Sequence, residues 1–303
     1  MRRHPSMVFA GVLVAVVGVM VAASSTQPTA DSEATPSHVS LMAAGPPGVP
    51  QAPAPEPPDL LQLDGLANKA TEAAQRVGAD ISIAVLDRTT GRLVTSGDGA
   101  AFPIASVAKL FIADDLLLQV AQGKTKLSPE DRQLLDTMLR ASDDYAAELF
   151  WERGGGNAVV DRVIRRYGLR GTTVPYDGKW FTTMSTTIDL VRYYDMLLDG
   201  SGGLPPAQAN TILADLAASA PVGVDGYPQR FGIPDGLFAE KVAVKQGWMC
   251  CWNGPNQVHM STGVVGADRR YVIAIGSMQP VDEATARNTL TTVVKTMFPG
   301  GRT

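Results

Sequence analysis

The chain carries one short pattern with an evident chemical use, Ser106-Val107-Ala108-Lys109, opening the apolar run Leu110-Phe111-Ile112-Ala113. Three residues along a helix put two side chains on one face. A serine Oγ is a weak nucleophile at its own pKa, and a neighbouring amine takes its proton when burial lowers the amine pKa. The helix N-terminus adds backbone N–H groups aimed at a reacting carbonyl, where negative charge develops. Together these imply acyl transfer through a covalent serine intermediate. Taken alone, the pattern equally describes a helix N-cap followed by a solvated lysine. His259 has no identifiable triad partners and is expected to be packed or locally satisfied. Cys250 and Cys251 are adjacent, a spacing that resists an ordinary disulfide and makes a weak metal site. They are expected as buried or half-buried thiols.

The elements that must hold the pair follow from periodicity. Leu60 to Val77 repeats apolar residues at helical spacing, with Gly78 as its stop. Ile81–Leu86 reads as a strand, Thr89-Thr90-Gly91 as a turn, and Arg92–Thr95 as the returning strand of a hairpin. From Ser106 to Ala220 the pattern is helical, in segments near 106–121, 129–140, 143–152, 156–167, 186–199 and 206–219. Ser106, Ser128-Pro129, Ser142 and Thr186-Thr187 punctuate their starts. Strands return at Val242–Val244, Gln257–Val265 and Tyr271–Met278, and a last helix runs from Val281 to Phe298. The order is helix, two strands, helical block, three strands, helix. That predicts an α+β fold: an antiparallel five-stranded sheet assembled from both chain ends, flanked by the terminal helices, with a helical lobe beside it. A crevice between sheet and lobe is the expected ligand site.

Before this domain, Met1-Arg2-Arg3-His4 precedes an uncharged apolar run from Met7 to Ala23, then small residues. Residues 1–23 read as a signal peptide or a membrane anchor, so an exported protein is expected, either secreted or held at the cell envelope. No cysteine lies near the end of the run to accept a lipid. Residues 24–59, rich in Pro and Ala, cannot bury enough apolar surface to offset their ordering and read as a disordered linker. Residues 60–303 form the domain. The formal net charge of −4, with no clustered Lys/Arg stripe, argues against nucleic acid. Membrane contact is expected only through the N-terminal segment, and a monomer is expected.

Three further motifs give the serine a context. Phe102-Pro103-Ile104-Ala105 precedes it, Ser142-Asp143-Asp144 follows between two helices, and Lys245-Gln246-Gly247 ends an apolar strand. In that order the set resembles the S-x-x-K, S-D-N and K-T-G elements of class A β-lactamases and penicillin-binding proteins. The resemblance covers about Leu60 to Phe298 and implies the β-lactamase/transpeptidase-like fold. It implies that Ser106 forms an acyl-enzyme and Lys109 serves as its base. Ser142 would pass a proton to the leaving nitrogen, helped by Lys245, whose charge would also attract a substrate carboxylate. Asp144, Gln246, Gly247 and Trp248 would contact substrate, with the N–H groups of Ser106 and Trp248 as the oxyanion hole. The implied partner is a β-lactam or a peptidoglycan stem peptide, with no metal and no cofactor.

The departures are specific. Asp144 stands where the family has Asn, and a carboxylate pairing with Lys109 would raise the amine's pKa. Gln246 replaces a hydroxyl residue, Trp248 is bulky, and the interval from Ser106 to Ser142 is shorter than usual. The Arg170–Thr187 stretch lacks the Arg-x-Glu-x-x-Asn pattern whose Glu positions the deacylating water. Asp177 is the carboxylate available there as a substitute. Acylation with slow deacylation is therefore expected.

Overall fold

The computed structural model describes residues 60–303. The expectations for the leader at 1–23 and the Pro-rich segment at 24–59 lie outside the described residues. Helix α1 (Leu60–Arg76) turns Leu63, Ala67, Ala70 and Ala74 inward, the stripe its periodicity dictates. Strands β1 (Asp80–Asp87) and β2 (Arg92–Gly97) form the hairpin, and two-residue β3 (Phe102–Pro103) leads into a 3₁₀ turn, Ala105–Ala108. The helical block is α2 (Lys109–Ala121), α3 (Pro129–Arg140), α4 (Asp144–Gly154) and α5 (Ala158–Tyr167). After the short β4 (Met184–Ser185) it continues with α6 (Thr187–Asp199) and α7 (Pro206–Ala217). A single-turn helix, α8 (Ile233–Gly236), precedes β5 (Val242–Trp252), β6 (Asn256–Val265), β7 (Tyr271–Gln279) and α9 (Glu283–Met297).

The main sheet has the order β2-β1-β7-β6-β5, antiparallel throughout. The α+β fold with a five-stranded antiparallel sheet joined from both chain ends is thus the one observed. Strand alternation sorts its two faces. Ile81, Ile83 and Val85 of β1, with Ile273 and Ile275 of β7, pack with Leu290, Val293 and Val294 of α9 and with α1. Ala84, Val272 and Ala274 point the other way, into the core of the helical lobe around Phe111, Phe150 and Tyr193. Both faces are covered, so the central strands are apolar almost without interruption.

Helix starts follow side-chain capping. Ser128 caps α3 in a reciprocal pair with Asp131, and Thr186 caps α6. Asp143, and not Ser142, caps α4 by accepting from the N–H groups of Tyr145 and Ala146. Ser106 caps nothing; its turn is 3₁₀ and α2 begins at Lys109. A second small sheet, not expected from the sequence, pairs Phe102 and Pro103 of β3 with Ser185 and Met184 of β4. Two-residue strands carry no periodicity to detect. This sheet ties the turn holding Ser106 to the segment between α5 and α6.

Asp87, at the end of β1, is fully buried and receives two hydrogen bonds from Arg270 before β7, at 3.0 and 2.7 Å. Hydrogen bonding from Arg270 lowers its pKa to about 2. A carboxylate with a depressed folded-state pKa adds stability above its unfolded pKa, near 3.8, and loses it as pH falls through the folded value. The contribution is about 1–2 kcal/mol after allowing for the half-open guanidinium. Chemical unfolding of Asp87→Asn against the parent, followed from pH 6 to pH 2, should show a stability gap that narrows between about pH 4 and pH 2. A gap independent of pH would remove the charge from this explanation.

Candidate active site

Ser106 and Lys109 meet because the 3₁₀ turn runs directly into α2. Lys109 Nζ lies 2.9 Å from Ser106 Oγ, and the lysine is fully buried. Nζ also lies 2.6 Å from Ser142 O, 3.2 Å from Ser142 Oγ and 2.5 Å from Asp144 Oδ1. Four acceptors surround a group with three protons at most, so the longest contact, Ser142 Oγ, is the one left over. That hydroxyl has a second donor: Lys245 Nζ at 2.7 Å. Ser106, Lys109, Ser142 and Lys245 thus form one continuous polar chain across the crevice, between the helical lobe and edge strand β5.

The backbone is bent to make this chain. Ala105 has φ 46° and Ser142 has φ 59°, left-handed values that non-glycine residues seldom adopt and that concentrate at functional sites. On the sheet side, Gly247 makes close approach possible. A Cβ there would stand 2.5 Å from Ile104 O and 3.2 Å from a Val107 methyl carbon, so no larger residue lets β5 come up against the nucleophile's turn. Edge position leaves alternate N–H groups of β5 without ladder partners, a condition for the oxyanion role expected of Trp248.

Burial governs the charges. Removal from water pushes the Lys109 pKa down, opposed chiefly by Asp144. Lys245 is pushed well below the ordinary lysine value, again by burial and then by repulsion from Lys109. Asp144 does pair with Lys109, as the sequence suggested, yet burial outweighs its pull and the net direction is down. Asp144→Asn removes that opposing charge, so Lys109 should lose its proton at still lower pH. With an uncharged acyl donor, the rising limb of the acylation rate should move to lower pH, which rates measured across that limb would show. An unmoved profile would show that Asp144 does not control the base.

The cleft above Ser106 has a volume of about 200 Å³ and is lined by Ala105, Ser106, Asp144, Trp180, Phe181, Asp225, Trp248 and Met249. Of the residues expected to contact substrate, Asp144 and Trp248 line it, while Gly247 lies against Ile104 and Val107 beneath the nucleophile's turn. Gln246 does not. Its side chain is 1% exposed, and its Nε2 donates to Phe231 O at 2.5 Å, away from the cleft. The expectation of Lys245 as a carboxylate anchor also meets an obstacle, since burial disfavours its charged form.

Phe181, Asp225 and Met249 were not singled out in the sequence as cleft residues, and Trp180 was expected in the core. Trp180 sits with its ring centroid 4.8 Å from Lys109 Nζ, and its indole donates to Glu148 at 3.1 Å. Asp177, the substitute carboxylate, is spent locally: it accepts from Thr182 Oγ1 at 2.5 Å and from Lys179 N at 3.1 Å. Trp151 is core, and Trp252 packs edge-on against Tyr176. His259 is buried against the Tyr227 hydroxyl at 2.6 Å, and burial lowers its pKa to about 3, which keeps it neutral. Cys250 and Cys251 correct the expectation of buried thiols: they are exposed and joined as a disulfide, in the β5 segment where the pairing with β6 shifts register. Among the described residues no cluster of His, Cys, Asp or Glu could hold a metal ion.

The architecture is the β-lactamase-like α+β fold. The chain belongs to the beta-lactamase enzyme family, whose model matches residues 129–298. That span includes Ser142 and Lys245 but begins after Ser106 and Lys109, which are placed by geometry. A protein of Mycobacterium tuberculosis (strain ATCC 25618 / H37Rv) named "Putative lipoprotein LppW" is 58% identical over 279 residues, covering 92% of this chain and 88% of its own length. Among solved structures, TLA-1 extended spectrum Beta-lactamase aligns with a TM-score of 0.65 at 13% identity, over 78% of this chain and 98% of that one. A class A beta-lactamase from Bacteroides cellulosilyticus DSM 14838 aligns at 0.64 and 15% identity, over 78% and 98%. At such identities these two speak for the fold alone.

Proposed function

We propose that this chain is an exported serine hydrolase that forms an acyl-enzyme at Ser106 with β-lactams or related cell-wall peptides and releases β-lactam acyl groups slowly. The observation that carries the reading is the polar chain in a lined cleft in which Lys109 bonds Ser106 Oγ and Ser142 O while Lys245 bonds Ser142 Oγ. In the proposed acylation Lys109, as the free amine, takes the Ser106 proton while Oγ bonds to the carbonyl carbon. The N–H groups of Ser106 and Trp248 hold the oxyanion. Collapse breaks the C–N bond, and the leaving nitrogen receives a proton from Ser142, replaced from Lys109 or Lys245.

Export rests on the apolar leader and on the relatives' name. Those relatives are named as a lipoprotein, whereas the cysteines of this chain are Cys250 and Cys251, so the proposal is export led by the Met7–Ala23 run without a lipid acceptor beside it.

A second reading, binding without chemistry, is favoured by the 2.5 Å hold of Asp144 on Lys109. Peptide mapping after incubation with a penicillin methyl ester separates the two. Modification confined to Ser106 supports the hydrolase, while binding with every serine unmodified supports the alternative.

A further inference from the structure

Resting on the serine-enzyme reading above, we propose that the cleft selects a substrate bearing a cationic group, a primary ammonium, on the leaving-group side of the scissile bond. The argument is the sign and placement of the charges that face the cleft. Its two charged lining residues are both carboxylates, Asp144 and Asp225. The two lysines of the site are 0% and 1% exposed and spend their protons on Ser106, Ser142 and Asp144. Asp144 has Lys109 as a partner and is still 71% exposed on its side chain. Asp225 has no ion-pair partner among the described residues; it accepts from Tyr227 N at 2.9 Å and from Trp248 Nε1 at 3.2 Å. The guanidinium of Arg287 stands 4.8 Å from the Tyr227 ring, which stacks on Trp248 at 4.6 Å, and it pairs with Glu283 at 4.0 Å. It is not among the residues that line the cleft. A substrate carboxylate entering here meets two negative groups and no cation among the lining residues, whereas an ammonium meets both carboxylates.

The side of the scissile bond follows from the loop that carries Asp225. Val224 N donates to Ala141 O at 2.8 Å, which sets Asp225 beside Ser142, the group assigned to protonate the leaving nitrogen. Trp248, whose indole donates to Asp225, is clamped by the Tyr227 ring and, through Tyr227, by buried His259. The wall is built and held.

The test uses one penicillin with its carboxylate in three forms: free acid, methyl ester, and amide of ethylenediamine, whose far end is an ammonium. The carboxylate lies beside the leaving nitrogen, so the three differ where Asp225 stands. Second-order acylation rates of the full-length protein are read by intact mass, each divided by the probe's own rate of alkaline hydrolysis. The ammonium form should acylate Ser106 at least about tenfold faster than the free acid at low salt, with the ester between. The preference should shrink as ionic strength rises and fall severalfold in Asp225→Asn, with Asp225→Glu restoring it. A merely structural Asp225 would change all three rates together. Equal rates, or preference for the free acid, with Ser106 still acylated, would overturn the inference and leave the serine reading standing. If no form acylates Ser106, both fall.

Discussion

Lys109→Met should lower the rate of Ser106 acylation by about a thousandfold, near 4 kcal/mol of barrier, within the range general bases supply. Methionine matches the length and burial of the lysine stem, so the apolar packing of α2 is kept. What disappears is the one amine within 2.9 Å of Ser106 Oγ. Lys245 does not replace it, since its amine contacts Ser142 Oγ and Gln246 O and not Ser106. Folding should survive, because removing a buried amine also removes its desolvation penalty. Stopped-flow or quenched mass spectrometry with an uncharged donor, alongside thermal unfolding, reads both quantities. A well-folded variant acylated at the parent's rate would assign the base elsewhere.

Once formed, a penicilloyl group on Ser106 should persist for minutes or longer, at least about a thousandfold slower in release than the ordinary enzymatic rate near 10 per second. Hydrolysis needs a water held and deprotonated beside the ester. The segment between α5 and α6 offers no group for this. Asp177 closes its own turn through Thr182 and Lys179, and the ring of Trp180 stands over Lys109. Glu148 is engaged by the Trp180 indole. Lys109 remains beside the ester as a base, yet nothing in this segment orients a water toward it. Chasing a labelled sample free of drug and following the adduct mass gives the rate. Adduct loss within a second would mean that groups outside this segment hold the water.

Much of this architecture was legible in the residues. Apolar runs in Ile81–Leu86 and Tyr271–Met278 marked strands, and helical stripes such as Leu63, Ala67, Ala70 and Ala74 marked the flanking helices. The four polar residues of the chemistry announced themselves by type, order and position on elements. Contacts made by loops did not. Asp225 lies in an Asp-Gly turn that signals a bend and nothing about the cleft, and Trp180 looked like any core tryptophan. Gln246 was assigned to substrate by its place beside Lys245, but its side chain turns to Phe231 O. Alternation along a strand sends neighbours to opposite faces, a rule that applied here and was outweighed by the motif. The balance at Lys109 was out of reach for a different reason: Asp144 was visible in the sequence, while the burial that overrides it is a property of the assembled lobe.

Intact-mass spectrometry of the purified protein mixed with a penicillin methyl ester, with Ser106→Ala in parallel, decides whether this serine is a nucleophile. The ester's lack of charge frees the result from the selectivity of the cleft. One added penicilloyl mass per chain, absent from Ser106→Ala, is the predicted result. An unmodified parent with its drug intact, or a parent and variant modified alike, would contradict the assignment of Ser106.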